Sequence, residues 1–173
     1  MSQDDRPRVV TLRLDEAAQQ RLDALRTALF PAGRTRVGAH VTLFHAVPSA
    51  QDHELLDACR RAGDRAAFPV GLGPPYSLGR GVALRVDAPP LLAVHAVLRR
   101  AVEPWLTRQD AQPFRPHVTV QNKVDPEVAR ATLAELGATW EPDRADALGL
   151  DVWAYAGGPW QHLVTVPFQP TAD

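Results

Sequence analysis

The feature that most constrains the fold is a short apolar stretch that occurs twice and begins each time with His-x-Thr. Residues 40–47 read HVTLFHAV, and residues 117–124 read HVTVQNKV. Both copies are rich in β-branched residues and alternate in polarity, which is typical of strands. Because alternate side chains of a strand share a face, each copy predicts a buried apolar face and an opposite face that carries His and Thr.

The order of predicted elements around the two copies also repeats. A strand that ends in Leu-Arg-Leu-Asp (residues 12–15) precedes the first copy, and one that ends in Leu-Arg-Val-Asp (residues 84–87) precedes the second. In both halves a predicted helix, the His-x-Thr strand, a second helix and a further strand follow. A repeat this long and this sparse is not a solenoid. It predicts two lobes that face each other across a pseudo-twofold axis.

The repeat leads to a specific fold prediction. We expect an α+β fold with two pseudo-symmetric lobes around a central cleft, each lobe an antiparallel-dominated sheet with flanking helices. Residues 1–173 form a single domain, in which lobe A covers about residues 8–80 and lobe B about residues 81–155. A C-terminal strand at 160–168 completes the sheets.

Composition restricts the environment and the partners. The chain is 45% apolar, enough for a sizeable core, and its formal net charge of -1 excludes a broadly basic nucleic-acid surface. An RNA partner would therefore be held locally, at a cleft. The single cysteine, Cys59, offers no disulfide framework and fits a reducing compartment. The polar N-terminus resembles no signal peptide, and no apolar run of about 18 residues occurs, so we expect a cytoplasmic monomer without a membrane segment.

Strand alternation assigns side chains to the two polar faces. The predicted faces are His40, Thr42, Phe44 and Ala46 in the first copy, and His117, Thr119, Gln121 and Lys123 in the second. His45 points away from His40 by the same rule, so we interpret it as a core or edge residue. The faces lack the Asp, Glu or Cys that would complete a metal site, and we predict neither a metal nor a cofactor.

The duplicated His-x-Thr strands, in this order of elements, resemble the 2H phosphoesterase superfamily, and within it the bacterial 2′-5′ RNA ligase-like proteins. The phrase RPHVTVQNKV in particular is similar to the second motif of that family. The resemblance extends over most of the chain. It implies RNA 2′,3′-cyclic phosphodiesterase activity, with RNA ends or small nucleotides that carry a 2′,3′-cyclic phosphate or a 2′-5′ linkage as partners. It further implies that His40 and His117 are the acid/base pair and that Thr42 and Thr119 bind the phosphate.

This chemistry is also reasonable from the residues themselves. Opening a cyclic phosphate with water needs a base for the nucleophile and an acid for the departing ribose oxygen. Imidazoles suit both roles near neutral pH, and threonine hydroxyls can donate hydrogen bonds to the non-bridging oxygens. The sequence does not decide which His is the base, and in 2′-5′ ligation, the reverse reaction, the roles would exchange.

Three neighbouring residues have two interpretations each. Some relatives carry an Arg soon after the second motif, where this chain has Gln121-Asn122-Lys123. Lys123 either supplies the missing positive charge or is a solvated lysine at a strand end. Phe44 either stacks on a base or is a hydrophobic residue at the rim. Arg115 either reaches the phosphate or lies exposed in a loop.

Other functions remain open at this point. The same fold could be a non-catalytic module that binds RNA ends or nucleotides, or a structural protein whose repeated strands are ordinary core. Within the enzyme class, the substrate could be a small molecule such as an ADP-ribose cyclic phosphate. We interpret the following aromatic residues as packing between the lobes: Tyr76, Trp153, Tyr155 and Trp160.

Overall fold

The structure is a computed structural model that describes residues 4–171, and it confirms an α+β fold built on antiparallel strands. Asp15 accepts a hydrogen bond from the backbone N–H of Ala18 at 2.9 Å and so caps the first helix, as its position before the helix predicts. The elements, in chain order, are β1 (Arg8–Leu14), α1 (Glu16–Leu29), β2 (Val41–Val47), α2 (Asp52–Gly63), β3 (Phe68–Ser77), β4 (Val82–Asp87), α3 (Pro89–Val102), β5 (His117–Gln121), α4 (Pro126–Thr139), β6 (Asp143–Ala154) and β7 (Gln161–Pro167).

The seven strands form one sheet in the order β1-β2-β5-β4-β3-β6-β7, and β6 also pairs with β1. Six strands therefore close into a ring, with β7 as an addition along β6. One half of the ring consists of β1, β2 and β6, and the other of β3, β4 and β5. At one junction β6 pairs with β3 over five residues, whereas at the other β2 and β5 meet through the single register pair Val41–Val118.

The strand pairings cross the predicted lobe boundary at residue 80. β3, which falls in predicted lobe A, forms a hairpin with β4, and the tight turn is closed by a 2.9 Å hydrogen bond from Leu78 N–H to the Gly81 carbonyl. β6, which falls in predicted lobe B, pairs with β1 along the whole length of β1. The repeat describes the order of elements along the chain but carries no information about which edges pair. Each half of the ring consequently contains one strand from the other half of the sequence.

Several element ends also differ from the sequence-based expectation. β3 continues through the Gly-Pro-Pro stretch at 73–75, whose composition predicts turns, because a shift in its register with β4 between Leu72 and Pro75 accommodates the prolines. α4 passes through Gly137, which is not in the left-handed conformation of a C-terminal cap, and ends at Thr139. In the described part of the chain, no helix has both the length and the apolar character that crossing a bilayer requires.

The helices α2 and α3 pack on each other and bury apolar side chains against the sheet. Cys59, on α2, lies in this core, and burial raises the pKa of its thiol to about 12. At neutral pH the thiol is therefore protonated and poorly nucleophilic, as expected of a core residue.

A buried histidine links α3 to the second strand. The ring of His95 stacks on that of Phe44 (centroids 4.7 Å apart, planes at 3°) and on that of Phe114 (3.9 Å, 4°). Burial lowers the pKa of His95 to about 4, with a smaller contribution in the same direction from Arg99, while Asp110 opposes the shift. His95 is thus a neutral aromatic spacer at physiological pH.

The low pKa predicts an acid-sensitive core. Between pH 6.5 and pH 4 the unfolded chain binds a proton at His95 that the folded protein does not, so stability falls as the pH falls through this window. We expect the difference in unfolding free energy between pH 7 and pH 4.5 to shrink by about 2 kcal/mol in His95→Phe. Urea unfolding at both pH values measures it. His53→Gln, on an exposed position of α2, is the control. If the unfolding free energy of His95→Phe depended on pH as strongly as that of the wild type, His95 would not be the source of the acid sensitivity.

Candidate active site

The Val41–Val118 pair brings the two His-x-Thr motifs together. Both valines are fully buried, so the residues on either side of each point away from the core. These four half-buried side chains are His40, Thr42, His117 and Thr119. Since the strands are antiparallel, the residue before one Val lies beside the residue after the other. Each His therefore has the Thr of the opposite strand as its neighbour, and all four lie around one local twofold axis.

Both histidines are held in the same way. Nδ1 of His40 donates to the carbonyl of Gly38 at 2.7 Å, and Nδ1 of His117 donates to the carbonyl of Arg115 at 2.8 Å. In each case the acceptor is the carbonyl two residues earlier, and because a carbonyl only accepts, Nδ1 must carry the proton. Nε2 of both rings is consequently free to accept or donate a proton toward a ligand.

A buried arginine ties the two motifs to α1. Arg26 donates from Nη1 to the backbone carbonyl of Thr119 at 2.6 Å and from Nε to the carbonyl of Val37 at 3.2 Å. Its guanidinium also lies over the ring of Phe30, 4.1 Å from the centroid. Arg26 therefore connects β5 with the segment that leads into His40, and it places a positive charge near that imidazole.

Both motif strands contain a bulge immediately after the Thr. Thr42 is opposite Thr11 while Phe44 is opposite Val10, so β2 has one extra residue at this point. On β5, Thr119 is opposite Ala83, and the residue two further along, Gln121, is opposite Val82. A bulge of this kind turns the following side chains to the other face.

The bulges correct two of the predicted face assignments. Phe44 is fully buried against His95 and cannot stack on a base, because the extra residue turns it into the core. Gln121 is also buried, and its Nε2 donates to the hydroxyl of Thr132 at 2.8 Å. Lys123 lies beyond the end of β5 in a turn with φ of 62° and is exposed, so it does not share a strand face with His117.

His45 and Arg115 also differ from a simple strand pattern. After the bulge His45 is partly exposed, and its Nδ1 donates to the buried carboxylate of Asp110 at 2.7 Å. The bulge after Thr42 breaks the strict alternation from which we expected His45 to face away from His40. The side chain of Arg115 is exposed and lines a cavity beside His117, while its carbonyl orients the His117 ring.

The environments of the two site histidines are unequal. Burial lowers the pKa of His40 to about 4, the Gly38 carbonyl opposes this shift, and the charges of Arg26, His45 and His117 add to it. The ring of Trp160 covers that of His40 with centroids 4.7 Å apart. The ring of His117 instead has the ring of Tyr76 as its neighbour in a T-shaped arrangement, with centroids 6.4 Å apart, and its Cα is paired with that of Arg85.

Sequence reasoning missed Trp160, Tyr76 and Arg85 as neighbours of the site. Tyr76 and Trp160 carry no motif, and only the closed ring of strands brings them to the histidines. A signal for Arg85 was present, because the repeated Leu-Arg-Leu-Asp and Leu-Arg-Val-Asp stretches place Arg13 and Arg85 at equivalent positions. Within residues 4–171, no group of three or more His, Cys, Asp or Glu is arranged as metal ligands.

Comparison with known proteins identifies the family and the fold. The model of the 2′-5′ RNA ligase superfamily matches residues 14–159. The structure of E. coli LigT complexed with 3′-AMP is similar, with a TM-score of 0.68 and 19% identity over 95% of this chain and 98% of that one. The protein TT0787 of Thermus thermophilus aligns with a TM-score of 0.64 and 18% identity, over 96% of this chain and 100% of that one. No curated protein sequence matches the chain.

The shared hydrogen bonding predicts one tautomer for both site histidines. In long-range ¹H–¹⁵N spectra of ¹⁵N-labelled protein at pH 8, we expect Nδ1 of His40 and of His117 to be protonated and Nε2 to be unprotonated. On acidification, the His40 signals should remain unchanged through pH 6 and titrate only near pH 4. The exposed ring of His53 provides the internal reference. A ring with a protonated Nε2 at pH 8, at either site, would contradict the arrangement.

Proposed function

Because the chain belongs to the 2′-5′ RNA ligase superfamily, we propose that it is a two-histidine phosphodiesterase that opens 2′,3′-cyclic phosphates on RNA ends or nucleotides. The observation that carries this proposal is the matched pair of imidazoles. His40 and His117 are each anchored through Nδ1 to a backbone carbonyl, which leaves two Nε2 atoms available on either side of the Val41–Val118 axis. A structural pair of histidines has no need of such a symmetric arrangement.

We infer the two chemical roles from the unequal environments of the histidines. His40 is neutral at pH 7 because burial depresses its pKa, so its Nε2 can take a proton from the attacking water. The water oxygen bonds to phosphorus, and the bond from phosphorus to one ribose oxygen breaks. His117 then acts as the acid and gives a proton from Nε2 to that leaving oxygen. The products are a phosphomonoester and a free ribose hydroxyl, and 2′-5′ ligation is the same path in reverse with the roles exchanged.

The two threonines hold the phosphate between the imidazoles. Thr42 and Thr119 lie beside the opposite histidines, and among residues 4–171 neither hydroxyl takes part in a hydrogen bond with protein. Both hydroxyls are therefore free to donate to the non-bridging oxygens, where negative charge increases in the transition state. Two imidazoles and two hydroxyls supply a base, an acid and charge stabilisation, so we propose a mechanism that requires no metal.

Structures of a similar protein support a nucleotide as the ligand. E. coli LigT has been crystallised with 3′-AMP, with NADP+ and with ATP. For this chain we infer an adenosine-type or other nucleoside cyclic phosphate as the minimal substrate. A module that binds RNA ends without catalysis would bind the same molecules and leave them intact, so turnover separates the two functions.

Removal of either imidazole should abolish turnover. We expect His40→Ala and His117→Ala each to lower kcat for 2′,3′-cyclic AMP by about 10²–10⁴-fold, because each removes a proton-transfer group. Thr42→Val and Thr119→Val should each lower kcat by about 10²-fold, since each removes one donor to the transition state. The measurement is chromatographic separation of the cyclic and opened nucleotides.

Two controls make this experiment decisive. His53→Ala changes an exposed histidine on α2 and should retain wild-type kcat, while circular dichroism should show that every variant is folded. Binding of the cyclic nucleotide without turnover by the wild type would favour the binding module. Full activity in either site variant would refute the two-histidine mechanism.

The pH dependence should reflect the assigned roles. kcat/KM should fall on the acid side only as the pH approaches 4, because His40 must be unprotonated to act as the base. The profile should be the same with and without EDTA. Loss of activity with EDTA and its recovery with a divalent cation would overturn the proposed mechanism.

A further inference from the structure

A cavity of about 640 Å³ adjoins His117 and is unexplained by the chemistry at the cyclic phosphate. The segment that leads into β5 forms one of its walls through Phe114, Arg115 and Pro116. Tyr76, whose ring is in a T-shaped arrangement with that of His117, and Arg85, whose Cα is paired with that of His117, also line it. The cavity is therefore lined by residues that lie next to His117 in the chain, across the sheet and in aromatic contact.

Two arginines, Arg85 and Arg115, line this cavity and bring positive charge to it. In the described part of the chain neither Arg85 nor Arg115 has an acidic side chain within 4.0 Å, so neither guanidinium forms a salt bridge. Asp87 also lines this cavity, but its carboxylate pairs with neither arginine. Arg85 lies over the ring of Tyr76, 5.5 Å from its centroid, so the aromatic face restricts where the guanidinium can move. Two free guanidiniums in one cavity are suited to a phosphate.

The equivalent arginine of the other half is already paired. Arg13 occupies the position in β1 that Arg85 occupies in β4, and it lines a cavity beside His40. Its Nη1 lies 3.4 Å from a carboxylate oxygen of Asp151, which offsets its charge. Of these two equivalent arginines in the described part of the chain, therefore, Arg85 is the one without a salt bridge.

The proposed roles of the two histidines indicate which part of a substrate lies on the His117 side. The acid must contact the leaving ribose oxygen, so the ribose and the chain attached to it extend past the acid, while water enters beside the base. Resting on the proposed function, in which His117 is the acid, we propose that Arg85 and Arg115 bind the phosphate on the 5′ oxygen of the ribose that carries the cyclic phosphate. The preferred substrate is then the 3′ end of an oligonucleotide, whose linking phosphodiester fills this cavity.

The proposal is tested by comparing substrates that differ in the 5′ phosphate. 2′,3′-cyclic AMP has none, 5′-phosphorylated 2′,3′-cyclic AMP has a monoester, and the dinucleotide ApA with a terminal 2′,3′-cyclic phosphate has the linking diester. We expect kcat/KM of the wild type for the dinucleotide to exceed that for 2′,3′-cyclic AMP by about tenfold or more, with a preference that weakens as salt increases. A monoester preferred over the diester would indicate a phosphorylated small molecule and overturn the assignment to oligonucleotide ends.

Variants of the two arginines test whether these residues cause the preference for the dinucleotide. In Arg85→Gln and Arg115→Gln the ratio of kcat/KM for the dinucleotide to that for 2′,3′-cyclic AMP should fall toward one, while Arg13→Gln, the matched control, should keep the wild-type ratio. Equal turnover of all substrates by the wild type, or a ratio that both variants retain, would overturn this inference and leave the two-histidine reaction intact. Absence of turnover of every substrate would instead refute the proposed function itself.

Discussion

The contact between β2 and β5 is the interaction on which the candidate site depends. At this junction the two halves of the sheet meet through one register pair, Val41–Val118, whose side chains are completely buried. Burial of these valines forces their neighbours to the opposite face, and antiparallel pairing places each His beside the Thr of the other strand. In the described part of the chain, β2 and β5 have no other register pair.

Local backbone geometry makes the two halves of the site equivalent. Each histidine is oriented by the carbonyl two residues before it, and each strand bulges after its threonine. The bulge returns Phe44 and Gln121 to the interior, so neither of them adds to the polar face formed by the His and the Thr.

Electrostatics then distinguishes the halves. His40 is partly buried next to Trp160 and near Arg26, which favours its neutral form, whereas the residues just before His117 line a cavity with two arginines. A pseudo-symmetric backbone with unequal surroundings is a simple way to obtain a base and an acid from two copies of one motif. The same inequality distinguishes Arg13, paired with Asp151, from Arg85, which has no acidic partner in the described chain.

Properties that depend on neighbours in the chain could be predicted from the sequence. The His-x-Thr repeat, the α+β class, the cap at Asp15 and the pairing of two imidazoles with two hydroxyls follow from local patterns of polarity and residue type. Strand alternation predicts the faces correctly as far as the threonines and fails after them, because a bulge depends on the register with a partner strand. The exchange of β3 and β6 between halves, the surroundings of His40 and the pairing of Arg13 were likewise decided by the tertiary structure. Burial and charge at these positions come from residues far away in the sequence, and only the folded chain brings them together.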